Sequence, residues 1–241
     1  MTTSFNVRLQ RREEVACGTT AFHFDKPTGF AFKPGQAVDL ILPNPPTADA
    51  ANGRHAFSIV SAPFELELVV ATRMRDSVFK NALKAMSIGS SAQLEGPFGS
   101  LTLHNNRARP AVFIAGGIGI TPFMSILRQA TKDQLEQALV LLYSNRRPED
   151  SAFLVELQQL EQENKHFRLV ATMTQMSQSK LRWQGETGLI DEAFMKRIGN
   201  ELLAPIYYLA GPPAMVGALQ STLNRAGVND DDIRSEEFYG Y

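Results

Sequence analysis

The spacing of apolar residues and turn sequences changes in the middle of the chain, and this change constrains the fold more than any other feature. Up to about residue 103 the chain consists of short runs rich in β-branched and aromatic residues, separated by turn sequences such as Lys33-Pro34-Gly35. Short strands spaced in this way predict an antiparallel sandwich or barrel. From residue 111 onward apolar strands alternate with amphipathic helices, which predicts a doubly wound parallel sheet covered on both faces. We therefore expect two domains, an antiparallel β-barrel at 1–106 and an α/β domain at 107–241.

The positions of the individual elements follow from the same patterns. In the first half, strands are expected at 5–10, 20–24, 36–42, 56–60, 65–72 and 91–96, with one helix at about 77–86. In the second half, strands are expected at 111–115, 138–143, 167–172 and 206–210, with helices from about 121, at 151–162 and at 213–226. Ser151 suits the N-cap of the helix at 151–162, and Gly227 suits the end of the helix at 213–226.

Composition excludes several function classes. The 241 residues include 24 Lys and Arg against 25 Asp and Glu, a balance that gives no general attraction to nucleic acid or to an anionic membrane. A single cysteine, Cys17, cannot form a disulfide within the chain or supply a four-thiolate iron–sulfur cluster. The four histidines have no metal-site spacing, and no apolar run approaches ~18 residues or forms a signal peptide. We therefore expect an unprocessed cytoplasmic protein that binds no metal, nucleic acid or membrane.

A glycine-rich segment, AGGIGITPF at 115–123, follows the first strand of the second half. Ligands of parallel sheets bind beyond the carboxyl ends of the strands, and Gly116, Gly117 and Gly119 would let a ligand approach the backbone there. A helix that begins at Thr121-Pro122 would offer free N–H groups and its dipole to a pyrophosphate. The segment is not the GxGxxG fingerprint, so glycines alone leave a simple strand-to-helix turn equally open.

Five segments in chain order resemble the motifs of the ferredoxin–NADP reductase superfamily. The pattern GGxGxTPxxS at 116–125 is similar to its pyridine-nucleotide pyrophosphate motif. Residues 56–58 resemble the end of its RxYS flavin motif, and residues 75–77 resemble its flavin-pyrophosphate loop. Residues 95–99 resemble its EGPxG turn, and residues 210–215 resemble its CGPxxM segment. The resemblance spans nearly the whole chain and carries no fused iron–sulfur domain. It implies an antiparallel FAD barrel followed by a parallel NAD(P) domain, the architecture that the strand and helix patterns also predict.

On the flavin side, the resemblance implies that FAD lies in the cleft between the domains. Phe57 would lie along the flavin, and Ser58 would be a hydrogen-bond partner near its reactive N5 atom. Taken alone, Phe57 would be a core aromatic and Ser58 a solvated strand position. The remaining contacts would come from Ala56, from the backbone of 69–73 including Ala71 and Arg73, from Arg75, and from the N–H groups of Ser77 and Val78.

One position departs from the flavin motif. The superfamily has an arginine two places before the aromatic, where it neutralises an FAD phosphate, and this chain has His55 there with Arg54 one place earlier. Three alternatives stay open: Arg54 replaces the arginine through a shifted loop, His55 bonds the phosphate directly, or Arg73 or Arg75 compensates. A change of cofactor from FAD to FMN is a further alternative.

On the nucleotide side, the resemblance implies that Gly117, Gly119, Thr121 and Pro122 hold the pyrophosphate. Gly211, Pro212 and Met215 would shape the nicotinamide side, where Ala210 replaces the usual cysteine. In the tail, Glu236 and Phe238 match a glutamate two positions before an aromatic that covers the flavin. Tyr239 and Tyr241 are rival stacking residues, and an edge strand with a frayed end is the plain alternative. A 2′-phosphate would be read by Ser144, Arg146 and Arg147, which favours NADPH over NADH, although a solvated loop is equally open.

The resemblance implies a reductase that transfers hydride from NADPH or NADH to FAD and passes electrons to a separate ferredoxin, flavodoxin or oxygenase. Basic residues of the first half are candidates for docking such a carrier: Arg8, Arg11, Arg12, Arg73, Arg75, Lys80 and Lys84. A reductase of free flavin, ferric chelates or quinones is a second hypothesis. A non-catalytic interaction module with a reductase fold is a third hypothesis, from a different class.

Overall fold

The structure, a computed structural model, describes residues 3–43, 53–199 and 202–239. It divides into two units: Met1–Thr102 with Thr121–Gln129, and Leu103–Ile120 with Ala130–Tyr241. The chain therefore leaves the first unit close to the expected division at 106/107. That division, as a boundary between two binding domains, stays a prediction.

The first unit is built on a six-stranded antiparallel sheet, as the sequence predicts. The sheet order is β4-β3-β6-β1-β2-β5, and its two outer strands are joined by an Ile59–Val70 bridge and by a hydrogen bond from Val60 N to Val69 O at 2.8 Å. This closure curls the sheet into a barrel, because it pairs the edges that would otherwise stay open. The strands are β1 Ser4–Ala16, β2 Thr19–Asp25, β3 Ala37–Ile41, β4 Arg54–Ser58, β5 Glu67–Arg73 and β6 Ser91–Phe98.

Apolar side chains at alternate positions of the strands form the core of the barrel. Phe22 and Phe24 of β2, and Val38 and Leu40 of β3, are completely or almost completely buried in one apolar cluster. Successive residues of a strand face opposite sides, so Phe22 and Phe24 point to one side of β2, and Val38 and Leu40 to one side of β3. In β2 the intervening His23 is buried as well. The strand β1 is longer than predicted, because its polar second half pairs with β2 through a turn at Gly18 with φ +66°.

One helix, α1 Val78–Ala85, interrupts the barrel strands at the predicted place. Ser77 is its N-cap, and the Ser77 hydroxyl accepts the Lys80 N–H at 3.2 Å. Phe79 and Leu83 are buried one helical turn apart, which attaches this face of α1 to the barrel core.

The second unit is built on a six-stranded parallel sheet, which confirms the predicted α/β class. The sheet order is β10-β9-β8-β7-β11-β12. The chain moves outward from the central strand β7 through β8 and β9, and later returns to pair β11 on the other side of β7. The direction of winding therefore reverses between β7 and β11, and parallel sheets bind ligands at such a switch point. The strands are β7 Ala111–Gly116, β8 Leu139–Asn145, β9 Phe167–Met173, β10 Glu186–Thr187, β11 Ile206–Gly211 and β12 Ile233–Glu237.

Four helices follow the glycine-rich segment and the later strands. They are α2 Thr121–Lys132, α3 Leu154–Glu163, α4 Glu192–Gly199 and α5 Pro213–Arg225, and a short 3-10 turn at Gly117–Ile120 leads into α2. Phe194 and Ile198 of α4 and Val216 and Leu219 of α5 bury their side chains in one cluster with the apolar strands. The chain leaves α5 through Gly227 at φ +86°, as predicted.

The predicted N-cap at Ser151 is wrong. The helix α3 begins at Leu154, and its N-cap position is Phe153 in the left-handed region at φ +60°. The Ser151 hydroxyl instead donates to the Arg147 carbonyl at 3.0 Å. The 3-10 turn Pro148–Asp150 uses Ser151 to close its own backbone, so the helix starts three residues later.

A buried histidine network in the second unit makes stability dependent on pH. The Tyr208 hydroxyl accepts the His104 backbone N–H at 2.9 Å and lies 2.8 Å from His104 Nδ1, while Nε2 lies 3.1 Å from the Arg109 carbonyl. Burial, and the positive charges of Arg234 and Arg109, lower the pKa of His104 below its ordinary value of 6.5. The folded state therefore prefers neutral His104. The stabilisation that neutral His104 contributes is complete above about pH 6.5, the ordinary pKa, and is lost as the pH falls through the lower pKa of the folded state.

We expect the free energy of unfolding to fall between pH 7 and pH 5, and His104→Gln to reduce this dependence. Urea titrations at several pH values would measure it. His166→Gln removes a histidine outside the network and is the control. An H104Q protein with the wild-type pH profile would contradict the assignment.

Candidate functional site

The glycine-rich segment lies at the switch point of the parallel sheet. A Cβ on Gly119 would lie 2.2 Å from the Ala210 carbonyl oxygen, and a Cβ on Gly116 would lie 2.3 Å from Met215 Sδ. These two glycines therefore let β7 and the turn pack against β11 and α5. Gly117 differs, because its φ is +54° and a Cβ there would meet nothing within 4 Å. Only Gly117 of the three borders open space, whereas Gly119 packs closely against Ala210, and the ligand role of Gly119 stays a prediction.

The helix α2 begins at the residue that the sequence indicates. Thr121 is its first residue and is 2 % exposed, and Pro122 follows in the first turn. Proline costs nothing there because the first N–H groups of a helix have no intrahelical partner. The turn Gly117–Ile120 thus joins the end of β7 directly to the first turn of α2.

The tail lies beside the end of β11. Glu236 is in parallel register with Ala210, and the Phe238 N–H donates to the Gly211 carbonyl at 2.9 Å. Burial raises the pKa of Glu236, whose carboxylate has no hydrogen bond or ion pair to any described residue. The structure therefore brings Glu236, Phe238 and the segment Gly211-Pro212 together. Tyr239 is exposed at 72 %, and the rival Tyr241 lies outside the described residues.

The three residues predicted to read a 2′-phosphate have different surroundings. Arg147 binds both carboxylate oxygens of the buried Asp150, at 2.7 and 2.8 Å, and lies 3.7 Å from Glu149. Its charge is therefore largely neutralised within its own loop. Ser144 is half-buried near the end of β8, in register with Gly116, and Arg146 is exposed. Of the two arginines, Arg146 is thus the better candidate for a phosphate.

The predicted flavin residues of β4 alternate between two environments. Arg54 binds Asp39 at 2.6 Å and Glu95 at 2.8 Å. The rings of His55 and Phe57, the next alternate pair, are 4.8 Å apart, and Phe79 of α1 lies 5.3 Å and 5.8 Å from them. The guanidinium group of Arg54 is thus ion-paired with two carboxylates, whereas the ring of His55 packs against that of Phe57.

Ser58 ends β4 and has an unusual environment. The side chain is 4 % exposed, and its hydroxyl oxygen has no hydrogen-bond partner among the described residues. A buried hydroxyl without a partner costs free energy, so such a group points to a missing ligand or to strain. The sequence alternative, a solvated position, is wrong because the side chain is buried.

The strand β5 carries Ala71 and Arg73, which the resemblance expects to pair with a flavin edge. One edge of β5 pairs with β2 over its whole length. On the other edge, the Val69 N–H already donates to Ser61 Oγ at 3.0 Å. Ala71 and Arg73 lie beyond these bonds, Ala71 buried and Arg73 half-buried.

The start of α1 carries two positively charged residues, Arg75 and Lys80, in different environments. Arg75, Ser77 and Val78 are exposed as a pyrophosphate loop requires, but Lys80 is only 4 % exposed. Burial, and then the charge of Arg75, lower the pKa of Lys80, while burial and then Lys80 lower the pKa of His55. The helical pattern marks Phe79 and Leu83 as buried, and Lys80 lies beside that face, but a lysine gives no signal of burial.

The expected docking surface needs one correction. A buried Lys80 cannot meet a partner protein. Arg11 is bound to Glu13 at 2.8 Å and to Glu67 at 3.1 Å, so its charge is shared with neighbours.

The described residues contain no group of three or more His, Cys, Asp or Glu that could hold a metal. Nor does any described helix have both the length and the apolar character needed to cross a membrane.

Comparisons with known proteins agree with this geometry. Residues 113–221 match the family described as the oxidoreductase NAD-binding domain. The reductase component of propane 2-monooxygenase from Mycolicibacterium smegmatis is 28 % identical over 219 residues, which is 88 % of this chain and 61 % of that protein. The electron transfer component of xylene/toluene monooxygenase from Pseudomonas putida is 30 % identical over 152 residues, 63 % of this chain and 42 % of that protein. The chain thus spans about three fifths of the length of the first of these relatives.

Solved structures share the fold. A ferredoxin–NADP+ reductase from Neisseria gonorrhoeae with bound FAD and NADP superposes with a TM-score of 0.80 at 22 % identity, covering 97 % of this chain and 98 % of that one. A cytochrome P450 reductase from Amycolatopsis gives a TM-score of 0.83 at 21 % identity, with coverage of 99 % and 71 %. These structures show that the chain has the fold of such reductases, and residues 113–221 match the oxidoreductase NAD-binding domain.

Proposed function

We propose that this chain is an NAD(P)H-dependent flavin oxidoreductase that binds FAD and passes electrons to a separate acceptor. Residues 1–106 are assigned to FAD and residues 107–241 to NAD(P)H. Bound FAD would supply the chemistry that takes up a hydride from the nicotinamide and passes electrons on to the acceptor. The protein contributes binding, orientation and the exclusion of water.

The observation that carries the proposal is the buried, unpartnered hydroxyl of Ser58. A flavin ring edge offers nitrogen and oxygen atoms that can accept or donate a hydrogen bond, and it would satisfy this hydroxyl. Ala56, Phe57, Ala71 and Arg73 provide the walls and backbone groups that we assign to the ring. Ser77 and Val78 at the start of α1 supply N–H groups suited to phosphate oxygens.

The nucleotide is assigned to the switch point of the second unit. Gly117 borders open space in a conformation suited to glycine, so a pyrophosphate could approach its backbone closely. The first turn of α2, with Thr121 and Pro122, adds N–H groups and the helix dipole. Ser144 and Arg146 are assigned to the ribose and its phosphate, and Gly211, Pro212 and Met215 to the nicotinamide end.

The tail completes the assigned site. Glu236 lies beside Ala210, without a partner among the described residues and with a pKa raised by burial. A carboxyl group of this kind can hold a proton or accept a hydrogen bond from the nicotinamide amide. Phe238 is assigned to the ring-covering position, since its N–H is anchored to Gly211 and its side chain follows Glu236 by two residues.

The proposed acceptor is an oxygenase component. The relatives named above are a reductase component and an electron transfer component of monooxygenases, and this supports an acceptor of the same class. Ferredoxin and flavodoxin are the other candidate carriers, and free flavin, ferric chelates or quinones remain the alternative substrates. We assign the protein to the cytoplasm because its exposed Cys17 suits a reducing compartment.

The test is anaerobic mixing of the FAD-loaded protein with NADH and, separately, with NADPH, while the visible absorbance of the flavin is followed. We expect rapid bleaching with at least one nucleotide, and the ratio of the two rates measures the preference. Arg146→Ala should slow the reaction with NADPH more than with NADH, because only NADPH carries the 2′-phosphate.

A protein that retains no FAD and oxidises neither nucleotide would contradict the proposal. That result would support the non-catalytic module instead. Bleaching without electron transfer to an oxygenase or ferredoxin, but with transfer to free flavin or quinones, would support the second enzyme hypothesis.

A further inference from the structure

A completely buried serine of α2 makes its hydrogen bond outside the helix. Ser125 is 0 % exposed, and its hydroxyl donates to the Ser61 carbonyl at 2.7 Å. A serine inside a helix commonly bonds the carbonyl four residues back, as Ser221 of α5 does with Gly217 at 2.9 Å. Ser125 ends the pattern GGxGxTPxxS, yet neither the flavin nor the nucleotide assignment uses it. Its hydroxyl instead joins α2 to the connection between β4 and β5.

The segment that accepts this bond follows Ser58 directly. The N–H groups of Ile59 and Val60 donate to backbone carbonyls of the first unit, at 2.9 and 2.8 Å. These bonds fix the backbone between Ser58 and Ser61, so the Ser61 carbonyl is a fixed point three residues from the unpartnered hydroxyl. Because the acceptor is a backbone carbonyl, the bond from α2 does not depend on the side chain of Ser61.

Further contacts attach the same half of α2. Arg128 Nη1 donates to the Val60 carbonyl at 3.3 Å. Ile126 packs against the turn before β3, since a Cβ on Gly35 would lie 3.1 Å from Ile126 Cδ1. The segment Thr121–Gln129 accordingly belongs to the first unit. Hydrogen bonds and packing therefore hold the first half of α2 against the connection between β4 and β5.

The place of Ser125 within α2 links this attachment to the nucleotide. Thr121 begins α2, and Ser125 follows it by four residues, about 6 Å along the helix axis. Successive turns of a helix are joined by backbone hydrogen bonds, so a helix held at Ser125 is also held at its first turn, to which we assign the pyrophosphate. Hydride transfer requires a defined geometry, and a displacement of about 1 Å can slow such a reaction by about 100-fold.

We propose that Ser125 is a positioning residue for hydride transfer, because its bond to the Ser61 carbonyl sets the first turn of α2 relative to Ser58. This inference rests on the proposed function, since it assumes that FAD lies at Ser58 and the nucleotide pyrophosphate at α2. Loss of the bond leaves the N–H groups of the first turn in place. It should therefore slow the transfer while nucleotide binding is retained.

The test is anaerobic stopped-flow reduction of the FAD-loaded protein over a range of NADH and NADPH concentrations. We expect Ser125→Ala to lower the limiting rate by roughly 10- to 100-fold and to leave the half-saturating nucleotide concentration unchanged. A primary isotope effect with nucleotide deuterated at the transferred position would identify hydride transfer as the slowed step. A purely structural loss would instead reduce the fraction of protein that holds FAD, and so the amplitude of bleaching rather than its rate.

Two further variants complete the experiment. Ser221→Ala is the matched control, because it removes a helical hydroxyl that bonds the carbonyl of its own helix, and it should be reduced at the wild-type rate. If S125A retains no FAD, Arg128→Met removes the neighbouring bond to the Val60 carbonyl. R128M should slow the limiting rate by roughly 3- to 10-fold, again without a change in the half-saturating concentration.

The outcomes separate the inference from the proposed function. An S125A protein that is reduced as fast as S221A would overturn the inference and leave the proposed function intact. A raised half-saturating concentration with an unchanged limiting rate would overturn it too, because Ser125 would then affect binding and not alignment. R128M reduced at the wild-type rate has the same meaning if S125A cannot hold FAD. If neither nucleotide reduces the wild-type protein, the proposed function fails, and the inference fails with it.

Discussion

Replacing Gly119 by alanine is expected to destabilise the protein by about 3 kcal/mol and to lower the melting temperature by roughly 6–12 °C. The added Cβ would lie 2.2 Å from the Ala210 carbonyl oxygen and 2.7 Å from the Gly211 N. These atoms are backbone of the strand β11, which is paired on both sides, so no flexible side chain can move to make room. The turn must shift away from β11, and thermal unfolding followed by circular dichroism measures the cost.

Gly117→Ala is the matched variant, and we expect it to affect binding rather than stability. Its Cβ would meet no atom, so the cost is that of an alanine at φ +54°, about 1–2 kcal/mol. The methyl group would occupy the space that we assign to the pyrophosphate, and the KM for NAD(P)H should rise about tenfold. Flavin content should not change.

The two variants, Gly117→Ala and Gly119→Ala, separate a binding role from a packing role within the glycine-rich segment. A G117A protein with normal KM would show that the segment is a plain turn, the alternative that glycines alone leave open. A G119A protein as stable as the wild type would show that the close approach to Ala210 can relax.

The fold could be predicted from the sequence because its signals are local. Alternation in β2 and β3, the apolar strands of the second unit and the stop at Gly227 each depend on neighbouring residues. Where the prediction failed, a local exception was responsible. The polar half of β1 gives no apolar signal, and the turn at Pro148 uses the serine that would otherwise have capped α3.

The candidate site could be predicted only in part, because its chemistry depends on distant partners. The sequence indicates the loop of Gly116, Gly117 and Gly119, but which glycine packs and which faces open space is decided by Ala210 and Met215, which lie far along the chain.

Charges are still harder to assign from sequence. The sequence pattern does not indicate that Arg54 is bound by Asp39 and Glu95. It does not indicate that Arg147 is bound by Asp150, or that Lys80 is buried. A charged residue is expected at the surface by default, and only tertiary contacts reveal where its charge is used.

Replacing Ser58 by alanine is expected to have opposite effects on stability and on catalysis. The hydroxyl is buried without a partner, so its removal should stabilise the apoprotein by about 1 kcal/mol. If the hydroxyl bonds the flavin beside its reactive atom, the same change should slow flavin reduction by roughly 10- to 100-fold at saturating FAD. Urea unfolding of the apoprotein and anaerobic stopped-flow absorbance of the FAD-loaded protein measure the two effects.

Ser61 provides the control because it is a buried serine with the opposite hydrogen-bond status. Its hydroxyl accepts the Val69 N–H at 3.0 Å, and Ser61→Ala would leave that N–H unpaired in β5. We expect S61A to lose about 1–3 kcal/mol of stability and to keep the wild-type reduction rate once FAD is saturating. If S58A instead destabilises the apoprotein, its hydroxyl has a partner within the protein, and the main support for the flavin assignment is lost. If S58A is more stable but reduces at the wild-type rate, a flavin can still occupy the site, but Ser58 takes no part in the transfer.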